Sequence, residues 1–342
     1  MPAEPKYSAP DPRDVDPQTV RRAFGRAAAT YDGAAVLERE VAGRMAQRLD
    51  YIKLAPQAIL DAGCGTGEAS AELAARYPAA RIVGLDAALP MAMAARLRMR
   101  RTRSMFRRLL APLMPRIDGA VSTFVCADVH ALPLRGVAFD MIWSNLALHW
   151  ANDPPRVFAE FRRVLKVGGL LTFTTLGPDT LKELRAAFAY ADGYTHTNRF
   201  IDMHDLGDML VAAGFADPVM DMEHLTMTYA EPRPLLAELK AVGAVNATRG
   251  RPRGLMERRA GSECSPHSSV RAGTAAFPQR SKSSTDTRGK ATRAIPRRAT
   301  RSSSFRPSVD DAFASTPRSG QTRASRASAG SGFAGRAKIL RL

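Results

Sequence analysis

The feature that most constrains this chain is a short apolar run that meets an acid and then turns through spaced glycines, Ala58-Ile59-Leu60-Asp61-Ala62-Gly63-Cys64-Gly65-Thr66-Gly67. Ala58 to Leu60 suit a buried strand, and glycines at 63, 65 and 67 suit a tight turn that a ligand can approach closely. The stretch from Glu68 to Arg76 reads as a helix whose N-terminus faces the same ligand. A dinucleotide loop, Gly-x-Gly-x-x-Gly, would need glycine where Glu68 stands. Carboxylates at Asp61 and Glu68 would repel a pyrophosphate but could receive an ammonium group, which argues for S-adenosylmethionine (SAM). Taken alone, the loop leaves open a turn that only lets the helix pack on the strand.

Around this loop, apolar runs and amphipathic stretches alternate. Strands are predicted over 58–61, 81–86, 123–127, 139–144 and 170–175, with helices over 68–76, 89–99 and 154–165, the last closed by glycine in Lys166-Val167-Gly168-Gly169. Helices near 180–190 and 203–213, a strand near 219–228 and a helix near 232–242 follow. This order predicts an α/β fold: a doubly wound, mainly parallel sheet, covered on both faces and joined by right-handed crossovers. Ahead of the first strand, Asp16-Pro17 is a good helix start. Apolar residues at three-to-four spacing up to Tyr51 predict one or two helices broken near Asp32-Gly33, free to act as a lid.

Charge separates the chain into parts. The formal net charge of +17 divides into +3 over residues 1–257 (32 basic against 29 acidic) and +14 over residues 258–342 (18 against 4). We therefore expect a disordered leader over 1–15, a folded domain over 16–257 with its lid at 16–51, and a disordered Arg/Ser-rich tail over 258–342. The change of vocabulary near Glu257 is abrupt. A reading-frame shift in a GC-rich coding sequence would produce it, and a genuine basic tail that binds acidic polymers is the alternative. Within the folded part, 96–118 is a basic amphipathic insertion holding eight arginines between residues 96 and 116. It reads either as a solvated helical face or as a docking surface for an acidic partner. Nucleic acid is not expected, because no stacking platform or motif accompanies the charge.

Three cysteines without metal-type spacing, the lack of an apolar secretory segment and the lack of 18 consecutive apolar residues predict a cytoplasmic protein without a membrane span. No metal is expected, since His196 and His204 lack ligand spacing.

In such a sheet the ligand lies at the C-terminal ends of the strands. Four ends carry suitable residues: the Asp61 to Gly67 turn; Asp86, for the ribose hydroxyls or as a helix cap; Asp128 and the Val129 N–H, for the adenine edge; and Asn145-Leu146, facing the reacting centre. With these in register, the chain resembles the class I SAM-dependent methyltransferases, and more narrowly the malonyl-acyl-carrier-protein O-methyltransferases of biotin synthesis. The resemblance runs from about residue 17 to about 257. It rests on Ala23-Phe24-Gly25-Arg26-Ala27-Ala28-Ala29-Thr30-Tyr31-Asp32, the glycine loop, Phe139 to Ala147, Phe173-Thr174-Thr175-Leu176, His196-Thr197-Asn198-Arg199-Phe200 and Leu239 to Ala244. A methyltransferase-like complex I assembly factor, assigned protein-arginine hydroxylation, also shares Leu148 to Asp153 and Asp205-Leu206-Gly207.

The resemblance implies methyl transfer to the free carboxylate of a malonyl thioester, by a monomer acting on a strongly acidic carrier protein that the arginine insertion would dock. Arg199 would pair with the carboxylate, and Tyr31 would close the pocket and donate a hydrogen bond. His149, beside Trp150, reads as a packed or helix-capping residue, because an ionised carboxylate needs no base. Two departures stand out. The insertion is extra, and the apolar antiparallel strand that ends family members has no counterpart after Met256. A third reading is therefore a chain whose altered C-terminus leaves it non-functional.

Overall fold

The glycine loop sits at the centre of a sheet whose strands run outward from it in both directions. A computed structural model describes residues 11–110, 122–189, 194, 196–229, 231–251, 269–281 and 340–341, with backbone only for 103–110, 269–281 and 340–341. The first strand, β1 (Ala58–Ala62), is buried along its whole length. It pairs in parallel with β2 (Arg81–Asp86) on one side and β4 (Phe139–Ser144) on the other. Outside these lie β3 (Thr123–Cys126) and β5 (Leu165–Leu176), both parallel, so the first five strands run in the order β3-β2-β1-β4-β5. The order reverses beside β1, which places a crevice at the C-terminal end of that strand.

Alternation along the strands divides the core between two faces. Leu60, Leu85, Ile142, Leu171 and Phe173 pack on one side with α6 (Pro154–Val164) and α8 (Met203–Ala212). Ile59, Ile82, Met141, Trp143 and Leu170 pack on the other with Leu73 of α4 (Glu68–Arg76) and with Met45 of α3 (Val36–Arg48). The lid region is thus partly core. Its α1 (Pro17–Ala27) is capped by Asp16, which accepts from the Gln18 N–H. A one-turn α2 (Tyr31–Ala34) follows, so the break brackets Asp32-Gly33 and does not fall on it.

Three sequence boundaries are corrected. The helix expected over 89–99 runs on as α5 (Leu89–Leu110), so the basic insertion begins as a continuation of that helix; residues 111–121 lie outside the described residues. Lys166 to Gly169 belongs to β5: Leu165 already pairs with Phe139, and the register shifts before Met141 meets Leu170. Gly168, at φ 76°, provides the bulge there and does not cap a helix. The absence of an antiparallel strand after Met256 is also overturned. Backbone of β8 (Ser269–Ser281) pairs antiparallel with both β5 and β7 (Met222–Thr228), the latter flanked by β9 (Leu340–Arg341).

The remaining elements are α7 (Lys182–Ala189), the short β6 (Phe215–Ala216) and α9 (Pro232–Ala241). Residues 1–10 of the expected leader lie outside the described residues. Val15 is buried, bridges Thr248, and exchanges two hydrogen bonds of 2.9 Å with the Asn152 side chain. Other residues from 258 onward also lie outside the described residues.

Candidate functional site

The loop after β1 is tied to the neighbouring strand by its own backbone. Gly63 and Cys64 donate to the Leu85 carbonyl at 2.7 and 2.9 Å, and Gly65 donates to the Asp86 carboxylate at 2.9 Å. All three glycines have positive φ, 83°, 52° and 83°. They serve different ends. A Cβ at Gly63 would lie 2.4 Å from the Ala147 Cβ, and one at Gly67 would lie 2.7 Å from the Ala95 Cβ. A Cβ at Gly65 would meet only the Tyr31 ring, at 3.8 Å or more. Two glycines therefore let elements close-pack, while Gly65 stands on the wall of a cavity with only the Tyr31 ring at ordinary contact distance.

Carboxylates surround that space. Asp61 is buried and accepts from the Ser70 hydroxyl at 2.5 Å. Burial pushes its carboxyl up to about 7, against the Ser70 hydrogen bond and with a further push from the Asp86 charge. Asp86 is raised by burial too, although Ala88 and Gly65 N–H groups oppose it. Its two oxygens each accept one of these backbone donors, at 2.8 and 2.9 Å, leaving a lone pair on each. Asp128 is half-exposed; burial raises its carboxyl, but two hydrogen bonds from His130 outweigh this and leave it low. Val129 is partly buried beside it.

A small cavity of about 50 Å³ is lined by Tyr31, Glu38, Arg39, Asp61, the Gly63 to Thr66 turn, Glu68 and Asn145. The larger cavity, about 380 Å³, is mostly apolar and lies between the lid, the turn after β4, the 196–200 loop and α9. Tyr31 and Glu38 line both. Burial first, then the Glu38 charge, raises the Tyr31 hydroxyl well above its ordinary value, so it stays protonated and can only donate or accept a hydrogen bond.

The lid is latched over the loop. Asp32 accepts from the Thr66 hydroxyl at 2.5 Å and from the Arg98 guanidinium, whose Nε also donates to the Thr66 carbonyl at 3.0 Å. Asn145 ties lid to sheet: its amide donates to the Glu38 carbonyl at 2.9 Å, and its oxygen accepts from Thr174 at 2.7 Å. Leu146, at φ 47°, is buried, lines the larger cavity and donates its N–H to Thr174.

The structure thus brings Tyr31, Asp61, Gly63, Gly65, Asn145 and Leu146 to the two cavities, with Asp86 directly behind the loop; Gly67, Asp128 and Val129 line neither. It does not bring Arg199 in: that side chain is exposed and lines neither cavity. Sequence reasoning missed Glu38, the Asp32–Thr66–Arg98 latch and Asn198, and it set His149 aside as a packed residue. Asn198 lay within the motif that drew attention to Arg199. Arg98 was hidden in a run of arginines, where composition cannot tell a latch from a solvated charge. Among the described residues, no cluster of His, Cys, Asp and Glu could hold a metal, and no helix is long and apolar enough to cross a membrane.

A five-stranded parallel sheet in this order, with a glycine loop ringed by acids, defines a methyltransferase domain, and residues 60–173 match the profile described by that name. The relatives narrow this. A malonyl-[acyl-carrier protein] O-methyltransferase of Laribacter hongkongensis is 56% identical over 246 residues, covering 72% of this chain and 80% of its own. Those of Gallionella capsiferriformans and Nitrosospira multiformis are 53% and 50% identical, covering 71% and 74% of this chain and 80% and 82% of theirs. The chain belongs to the malonyl-[acyl-carrier protein] O-methyltransferase family.

Proposed function

We propose that the protein transfers the methyl group of SAM to the free carboxylate of a malonyl thioester held on an acyl carrier protein, giving the methyl ester used in biotin synthesis. The observation that carries this reading is 50–56% identity to methyltransferases of that name over about four-fifths of their length. The acids of the small cavity suit an ammonium-bearing ligand without phosphates, and Gly65 leaves room for it. In this reading Asp61 and the Gly63, Gly65 and Gly67 turn hold the amino-acid end. Asp86 takes the ribose hydroxyls, Asp128 and the Val129 N–H take the adenine edge, and Asn145 and Leu146 shape the junction with the acceptor.

When bound, SAM supplies a methyl group on a sulfonium, which the carboxylate oxygen takes as the carbon–sulfur pair leaves on sulfur. The protein need not move a proton, since a carboxylate is ionised at neutral pH. Its work is alignment in a dry pocket, which contributes roughly 7–11 kcal/mol in favourable cases. Tyr31, lining both cavities, closes the junction and donates its hydroxyl toward the reacting oxygen. Arg199, exposed as it is, meets the acidic partner at the surface in this reading and not the reacting carboxylate.

Docking of the acidic carrier is supported by α5, where Arg96, Arg100 and Arg101 are exposed beside Leu89, Met93 and Leu97. The protein acts as a cytoplasmic monomer, as one domain over 16–257 with the tail beyond it. The hydroxylase-like reading is not favoured, given relatives named as methyltransferases at this identity. Incubation with labelled SAM tests the proposal: methyl ester should form on malonyl-carrier and not on unloaded carrier. A folded, SAM-binding chain that makes no ester would refute it. A chain that shows no cooperative melt, or none that shifts with SAM, would instead support the non-functional reading.

A further inference from the structure

Among the described residues, two buried polar atoms of the larger cavity have no hydrogen-bond partner: Nδ1 of His149 and Oδ1 of Asn198. Such atoms are rare in folded proteins, and two on one cavity wall point to a group bound there that completes them, a ligand or the water it displaces. They come from separate segments, the turn after β4 and the loop before α8, so no single strained element accounts for both. Around them the wall is aromatic: the His149 ring lies 5.2 Å from Trp150 and 5.9 Å from Phe200.

Resting on the function proposed above, we infer that His149 and Asn198 are the hydrogen-bonding hooks that position the carboxylate of the malonyl group for methyl transfer. The chemistry favours neutral hooks. A guanidinium binds a carboxylate bidentately and, being a full charge, draws off more of the electron density that must attack the methyl group than a neutral N–H does. An imidazole Nδ1–H and, with the Asn198 amide turned so that its nitrogen takes the unpaired position now held by Oδ1, a carboxamide N–H each donate to the carboxylate and leave its charge in place. Burial keeps the His149 ring neutral, its pKa lowered to about 3. Of the charged groups lining the cavity, Lys240 is exposed and Glu38 and Glu238 are half-buried, so a bound carboxylate must sit away from these two acids, against the aromatic wall. A site built this way also discriminates, because an acyl group without a carboxylate leaves both atoms unpaired.

The test measures methyl ester formation on malonyl-carrier by the wild-type protein and by His149→Phe, His149→Asn, Asn198→Leu and Asn198→Asp, with SAM affinity measured by calorimetry for each. His149→Phe and Asn198→Leu should raise KM for the malonyl substrate at least tenfold while SAM affinity stays within twofold. His149→Asn, which restores a neutral amide, should recover most of the loss. Asn198→Asp keeps the side-chain volume but opposes the carboxylate with a like charge, so its defect should exceed that of Asn198→Leu at pH 8 and shrink as the pH falls toward 5. Unchanged KM in the folded variants, parallel loss of SAM affinity, or a pH-independent Asn198→Asp defect would overturn the inference while leaving the function standing. Absence of ester from the wild-type protein would overturn both.

Discussion

Gly65→Ala isolates ligand approach from folding, because the new methyl group meets no backbone. Its nearest neighbours would be Tyr31 ring atoms at 3.8–3.9 Å, an ordinary contact distance. The folding cost is then the left-handed backbone at φ 52°, about 1–2 kcal/mol for a residue with a Cβ. At roughly 2–4 °C per kcal/mol for a domain of this size, the melting temperature should fall by about 2–8 °C. The methyl group occupies space assigned to the amino-acid end of SAM, and overpacking of that kind costs roughly 1–3 kcal/mol. At 1.4 kcal/mol per tenfold, affinity should drop by about 5- to 150-fold. Gly63→Ala is the control, since its Cβ would sit 2.4 Å from that of Ala147. It adds a clash to the same backbone strain and should destabilise by roughly 2–5 kcal/mol. Thermal melts with and without SAM, together with calorimetry, read both quantities. SAM affinity within twofold of wild type for Gly65→Ala, or equal melting temperatures for the two variants, would refute the division of labour among the glycines.

Asp61 makes the ligand-free protein pH-sensitive. Its folded pKa, about 7, lies above its ordinary 3.8, so the folded state holds the extra proton between these values and stability declines as pH rises from about 4 to about 7, then levels off. Melts across pH 5 to 8 should show that slope in the wild type and a shallower one in Asp61→Asn, where the raised Asp86 still contributes, and the SAM affinity of the variant should rise less with pH. Asp32→Ala opens the latch on Thr66 and Arg98; because the pair is half-exposed, the stability loss should stay near 0.5–1 kcal/mol, whereas the SAM dissociation rate should rise severalfold in stopped-flow measurements. An unchanged rate would count against a latch. Replacing Arg96, Arg100 and Arg101 with Glu should raise KM for the carrier substrate about tenfold, spare a small malonyl thioester, and lose its effect as salt shortens the screening length. Equal effects on both substrates would remove docking from the account.

The central sheet was legible because its strands are apolar runs bounded by turn residues, and because β1, β2 and β4 are buried on both faces, which leaves little room for another pattern. Arg81 to Asp86 and Phe139 to Ser144 were bounded to the residue for this reason. Misreadings arose where one residue type serves two geometries. Gly168-Gly169 caps a helix or bulges a strand, and only the pairing of Leu165 with Phe139 decides between them. The run from Arg96 onward can leave a helix or prolong it, and arginine, a good helix former, prolonged it. Strand β8 carries no apolar period at all, so its pairing with β5 and β7 depends on backbone that no side-chain pattern advertises.

Within the site, legibility followed charge and curvature. Asp61, Asp86 and the glycines drew attention because an acid or a positive φ at a strand end is costly without a purpose, and the structure places them around one turn. Arg199 was chosen on similar grounds, since a planar cation is the obvious partner for a carboxylate, and the structure leaves it in solvent. What the sequence could not display was the reverse case, a polar group whose importance lies in having no partner. Asn198 and His149 look unremarkable in a list of residues and become informative only when the fold buries them against an apolar cavity with one atom each unsatisfied. A nucleophile that must keep its charge is better held by such groups than by an arginine.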